Sequence, residues 1–223
     1  FLARREGTKT WGAMPVNSGL ALGALVSLAA IFTVEPSGGW HTLAVVTLYL
    51  IEMFTRRNGY LELFAEGLLS IALILLLNDF KIKEPSYYLF GLSLLWLSCD
   101  AVFKIGFANR KIDAVTKVIG ALLSMAAILS IYFDLIPSAA ALCLAVYTIF
   151  FAVYAWLYKN PLIGYASTSS LTLAIFFGLR AANQEQWLLP LTALAVIYYA
   201  AGYFLLRADK AKGWDKMLLF SGL

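Results

Sequence analysis

Glu52, Glu62, Glu66, Asp100 and Lys104 are the side chains whose types and spacing could do chemistry, because they stand in or at the edges of long apolar runs. A charge there is costly, so it is a functional candidate by default. Glu62 and Glu66 lie four residues apart, as do Asp100 and Lys104, and on a helix that spacing puts each pair on one face. Carboxylates gathered at one depth can bind a proton, a cation or a lipid head group. Lys104 or Arg56 is the expected partner of opposite sign. The candidate polar site is therefore Glu52, Arg56, Glu62, Glu66, Asp100 and Lys104. The competing expectation is a set of interfacial charges that snorkel towards water and pair with one another.

Other chemistry is excluded by what the sequence lacks. There is one histidine, His41, so ligation of haem or chlorophyll by several histidines is ruled out in this chain. HExxH and GxxxxGK are absent. Cys99 and Cys143 sit in apolar runs without a close Cys or His, which removes the CxxC redox and zinc readings. Lys104 has the chemistry to hold a retinal Schiff base with Asp100 as counter-ion, but its place near the end of an apolar run fits a snorkelling side chain. No nucleophile–base pair or metal set is assembled, so an enzyme is the least supported class. The sequence assigns no cofactor. Tyr165 to Ser170 holds a hydroxyl cluster that either lines a solute path or bonds neighbouring helices. Gly19 and Gly23 form a GxxxG, a possible close-packing face.

The elements that carry these residues are apolar helices. Of 223 residues, 61% are hydrophobic and 13% charged, and mean hydropathy is +0.79. Soluble domains are nearer a half apolar and a quarter charged, so lipid is the expected solvent for much of the surface. A spanning helix needs about 20 apolar residues. Such runs occur at 16–34, 40–55, 60–77, 86–107, 114–134, 138–158, 161–179 and 186–206, which predicts eight transmembrane helices in an all-α polytopic bundle. Continuous apolar runs do not fit barrel strands, which alternate. Turn signals separate the runs: Glu35-Pro36-Ser37-Gly38-Gly39, Arg56-Arg57-Asn58-Gly59, Asn78 to Ser86, Ile136-Pro137 and Asn160-Pro161.

Charge gives an orientation. Of the 17 Lys and Arg, only Lys81, Lys83 and Arg180 fall in one set of connections; the rest lie in the other or at the chain ends. The positive-inside rule then predicts a cytoplasmic N-terminus, with 55–60, 108–113, 159–160 and 207–213 on the same side. The net charge of +4 is explained by topology and needs no nucleic acid. Trp11, Trp40, Tyr60, Tyr87, Tyr88, Trp156, Tyr158, Trp187 and Trp214 fall near run ends, as an aromatic belt would.

The chain also resembles itself. Residues 22–31 match 119–128 at seven of ten positions. Further on, Ala44, Thr47, Leu61, Ala65, Ile74 and Glu84 recur as Ala145, Thr148, Leu162, Ala166, Ile175 and Glu185. The sequence therefore predicts a tandem repeat of a four-helix unit: 1–112, then 113–212, with 213–223 opening a third, since Trp11, Met14, Ser18, Gly19 and Leu20 recur as Trp214, Met217, Ser221, Gly222 and Leu223. An even number of crossings makes the copies parallel, related by an axis along the membrane normal. The second copy replaces the five charges with Val153, Ile163, Ser167, Ala201 and Leu205, so the unit does not need them to fold. Two functional classes follow. One is a structural or scaffold module of a larger membrane protein or complex. The other is a transporter or lipid-handling protein that uses the carboxylates. The partners expected are membrane lipids and further segments of a longer chain or other membrane subunits.

Overall fold

The computed structural model describes residues 9–33, 37–56, 60–106, 113–208 and 213–223, with side chains within 16–30, 37–55, 61–104, 114–207 and 213–223. These residues form α1 (Lys9–Thr33), α2 (Gly38–Arg56), α3 (Tyr60–Asp79), α4 (Pro85–Gly106), α5 (Asp113–Asp134), α6 (Pro137–Tyr158), α7 (Pro161–Ala181), α8 (Leu188–Ala208) and α9 (Trp214–Ser221), with no strand among them. The side chains of Trp11, Arg56 and Tyr60, and most of the 55–60, 108–113 and 207–213 connections, lie outside the described residues.

Among the described residues, six helices are long and apolar enough to cross a membrane: Leu61–Asp79, Pro85–Lys104, Ala114–Asp134, Pro137–Tyr158, Pro161–Ala181 and Leu188–Arg207. The described side chains of α1 add a shorter apolar stretch, Val16–Ala30. The outward faces are apolar: Phe133 is 76% exposed, Leu142 70% and Leu189 71%. Large apolar side chains exposed to this degree on several helices are at home in lipid, not in water. This is a multi-pass helical membrane protein.

Proline and left-handed turns set the helix limits. Pro85, Pro137 and Pro161 each stand first in α4, α6 and α7, where the missing N–H was unpaired anyway. Asn160 caps α7 by accepting a hydrogen bond from the Leu162 amide at 3.0 Å. Lys81, Lys159 and Asn183 follow α3, α6 and α7 with φ of 58°, 50° and 53°. In each case the next amide reaches back five residues: Ile82 to the Leu77 carbonyl, Asn160 to Ala155 and Gln184 to Leu179. The same C-terminal motif thus satisfies carbonyls at three helix ends.

The chain divides into two compact units, 1–127 and 128–223, with the division inside α5. In the first, α3 is central. Its Ala65, Leu68, Ala72 and Leu75 are buried, and α2 closes on it where Gly39 meets Leu76 and Tyr49 stacks on Phe64 at 6.2 Å. Leu20 of α1 joins Val46, Tyr49, Ala65 and Leu68 in one core cluster. The Tyr49 hydroxyl donates to the Leu20 carbonyl at 2.9 Å. In the second unit α6 and α7 form the main pair. Tyr147 and Phe151 stack at 5.3 Å, and Tyr132 meets Phe177 edge-on at 5.5 Å.

Gly19 and Gly23 do not make a shared packing face. A Cβ on Gly23 would lie 2.9 Å from Val45 Cγ1, while Gly19 has nothing within 4 Å. The GxxxG spacing alone could not tell which of the two meets α2.

Candidate functional site

The site residues belong to the first compact unit, and the register of α3 on α4 positions them. Leu73 of α3 meets Gly91 of α4, where an added Cβ would be 3.1 Å from Leu73 Cδ2. Further along, the Trp96 indole Nε1 donates to the Ser70 hydroxyl at 2.9 Å. Ser70 in turn donates to the Glu66 carbonyl at 2.9 Å. Residue numbers fall on α3 as they rise on α4, so the pair is antiparallel. One turn beyond Ser70 and Trp96, helix periodicity brings Glu66 and Asp100 to one level; another turn brings Glu62 and Lys104.

Burial separates these residues. Glu66 and Asp100 are both 0% exposed and Glu62 is 1% exposed. Helix packing encloses these three acids. Lys104 is exposed, as a snorkelling lysine should be. Glu52 of α2 is half-buried. The backbone of Arg56 closes α2, and its side chain is outside the described residues.

Asp100 has a partner that the sequence reading did not single out. Thr116 Oγ1 of α5 donates to Asp100 Oδ1 at 3.1 Å, and Thr116 is itself 0% exposed. One turn away Gly120 lies against Leu97, with an added Cβ 2.8 Å from Leu97 Cδ2. Asp100 therefore sits where the α3-facing and α5-facing stripes of α4 meet. The signal available was indirect: a threonine and a glycine at i, i+4 near the start of an apolar helix allow close approach and a hydroxyl bond.

No known family model, characterised protein or solved structure matches this chain. The chemistry must be read from the residues themselves. Among the described residues no three of His, Cys, Asp and Glu come together as metal ligands. His41 is exposed in the first turn of α2.

The hydroxyl cluster of α7 is used for packing. Ser167 Oγ donates to the Thr148 carbonyl of α6 at 2.8 Å. Thr168 and Ser221 share a hydrogen bond of 2.9 Å between α7 and α9. Thr172 returns its hydroxyl to the Thr168 carbonyl at 3.0 Å. The first two bonds join helices, and the third satisfies a hydroxyl within α7 itself, where lipid offers no water.

Proposed function

We propose that this chain is a structural, scaffolding module of a larger membrane protein or complex. The observation that carries this reading is the sealing of its polar residues. A pathway for a solute or ion must bring water or substrate to the groups that bind it. Glu66 and Asp100 are 0% exposed and Glu62 1%, inside contacts between neighbouring helices. Ser167 and Thr168 of α7 likewise make helix-to-helix bonds. Polar groups used this way specify which helices pair and in what register.

The module is read as eight spans in two tandem four-helix repeats, with the N-terminus in the cytoplasm. A register match supports the repeat. In the first copy, the contacts of Gly39 with Leu76 and of Tyr49 with Phe64 bring Thr47 level with Glu66. In the second, Ser167 bonds the Thr148 carbonyl. Thr148 and Ser167 are the positions that the internal alignment matches to Thr47 and Glu66. The second and third helices of both copies thus pack in one register. Its proposed partners are lipids and further membrane segments.

The alternative is a transporter or lipid-handling protein working through the inner-leaflet carboxylates. What favours it is the shared level of Glu66 and Asp100 on facing helices. Reconstitution separates the two. Proteoliposomes of the purified chain under a proton or sodium gradient should carry no more flux than empty liposomes. A flux that Glu66→Gln with Asp100→Asn abolishes would overturn the scaffold reading.

A further inference from the structure

The second compact unit holds a groove of about 370 Å³ where α6, α7 and α9 meet. Ala152 and Trp156 of α6 line one side, Trp214 and Leu218 of α9 the other, and Gly164 and Ser167 of α7 lie between them. Two close approaches seat α9 on α7. A Cβ on Gly164 would be 2.8 Å from Met217 Cε, and one on Gly213 would be 3.0 Å from Pro161 Cγ. The second approach sets the start of α9 beside the start of α7, next to the end of α6. Trp156 and Trp214 therefore stand at one mouth of the groove, and Trp156 is 74% exposed. The hydroxyl protons deeper in are already taken. Ser167 donates to the Thr148 carbonyl at 2.8 Å, and Thr168 pairs with Ser221 at 2.9 Å. To a ligand the walls are thus apolar.

Size and charge select the occupant. One turn of helix, ~5 Å long and ~10 Å across, fills about 400 Å³, so the groove cannot seat another transmembrane helix. An apolar cavity of about 150 Å³ takes up benzene, so this one has room for part of a single hydrocarbon chain. From Pro161 to Thr168 its length along α7 is about 10 Å. The mouth is positive. Ala152, Trp156 and Lys159 follow one stripe of α6 at i, i+4 and i+7, and Lys159, the C-cap, is exposed. Asp215, in the first turn of α9, is only 7% exposed, and its Oδ1 accepts the Gly213 amide at 2.8 Å. The segments that flank the mouth, 156–162 and 207–217, carry Lys159, Arg207, Lys210, Lys212 and Lys216 against Asp209 and Asp215. Tryptophans sit at head-group level, and basic groups between helices at that level attract anionic head groups.

We propose that this groove binds one anionic phospholipid, with an acyl chain between Trp156 and Trp214 and the phosphate at Lys159. The proposal rests on the reading of the chain as a lipid-embedded module, and it adds a selected lipid to the bulk bilayer.

Tryptophan quenching in the purified chain tests this, in nanodiscs of phosphatidylcholine with a minor share of lipid brominated on its acyl chains. The signal read is the part lost in Trp156→Phe with Trp214→Phe. Brominated phosphatidylglycerol should quench it about fivefold more effectively per lipid than brominated phosphatidylcholine, the gain that one cation near the head groups gives. Lys159→Gln removes the cation and Ala152→Phe fills the groove from its edge; each should abolish the preference. Lys216→Gln should preserve it, because Lys216 lies roughly 200° round α9 from Trp214. Equal quenching by the two lipids overturns the proposal, as does a preference that survives both Lys159→Gln and Ala152→Phe. A loss in Lys216→Gln as large as in Lys159→Gln also overturns it, since diffuse surface charge would then suffice. Should Ala152→Phe misfold by circular dichroism, the exposed Lys159 and Lys216 carry the test alone. Ion flux in proteoliposomes would remove the scaffold reading and leave the lipid site standing; equal quenching without flux removes the site alone.

Discussion

Trp96 and Ser70 fix the polar geometry of the first unit. The 2.9 Å bond from the indole nitrogen to the serine hydroxyl ties α4 to α3, one turn from where Glu66 and Asp100 come level. Trp96→Phe keeps most of the ring and removes the donor. Hydrogen bonds between helices in membranes average about 0.6 kcal/mol. The expected loss is of that order, measured as reversible unfolding in mixed micelles. No loss in Trp96→Phe beside a loss of that size in Ser70→Ala would show that the serine acts through its bond to the Glu66 carbonyl instead.

Thr116 and Asp100 should be energetically coupled. Thr116→Val preserves shape and deletes the hydroxyl that donates to Asp100 Oδ1. In a double-mutant cycle with Asp100→Ala, a coupling of about 0.5–2 kcal/mol is expected. Strict additivity would mean that the two side chains meet without holding α5 to α4.

Gly202 should tolerate no side chain. A Cβ there meets backbone of α9 at 2.6 Å, and backbone cannot yield as the tip of a side chain can. Gly202→Leu is expected to lift α9 from α8, exposing a cysteine placed at Leu219 to maleimide. Overpacking of this kind costs about 1–3 kcal/mol. Gly178→Leu is the control, since nothing lies within 4 Å of that position; it should change stability by less than about 0.5 kcal/mol.

Orientation can be settled by labelling in a background free of Cys99 and Cys143. Cysteine at position 58 or 160 should react with a membrane-impermeant maleimide only when the cytoplasmic face is accessible. Cysteine at position 82 should react only from the opposite side. Labelling of position 82 from the cytoplasm would reverse the assigned topology.

What the sequence determined by itself is the class of protein and the helix limits. Apolar runs of about 20 residues leave backbone groups only one way to be satisfied in lipid, and Pro137, Asn160 and Pro161 mark helix starts through strictly local geometry. A further helix was also expected to open after residue 213, and α9 (Trp214–Ser221) stands there. Acids at i, i+4 were legible too, because helix periodicity is a local property. Tertiary structure decided which side each residue faces. Glu62 stands near the start of α3 and reads as interfacial, yet it is buried because α3 is central and covered on more than one side. Glu52 has the same residue type at a similar depth but is only half-buried. Thr116 bonds Asp100 only because α5 crosses α4 at that height. Gly19 and Gly23 share a motif and part in fate, Gly23 against Val45 and Gly19 open. Side-chain spacing sets a stripe on one helix; which neighbour covers that stripe depends on packing among distant segments, and no local pattern encodes it.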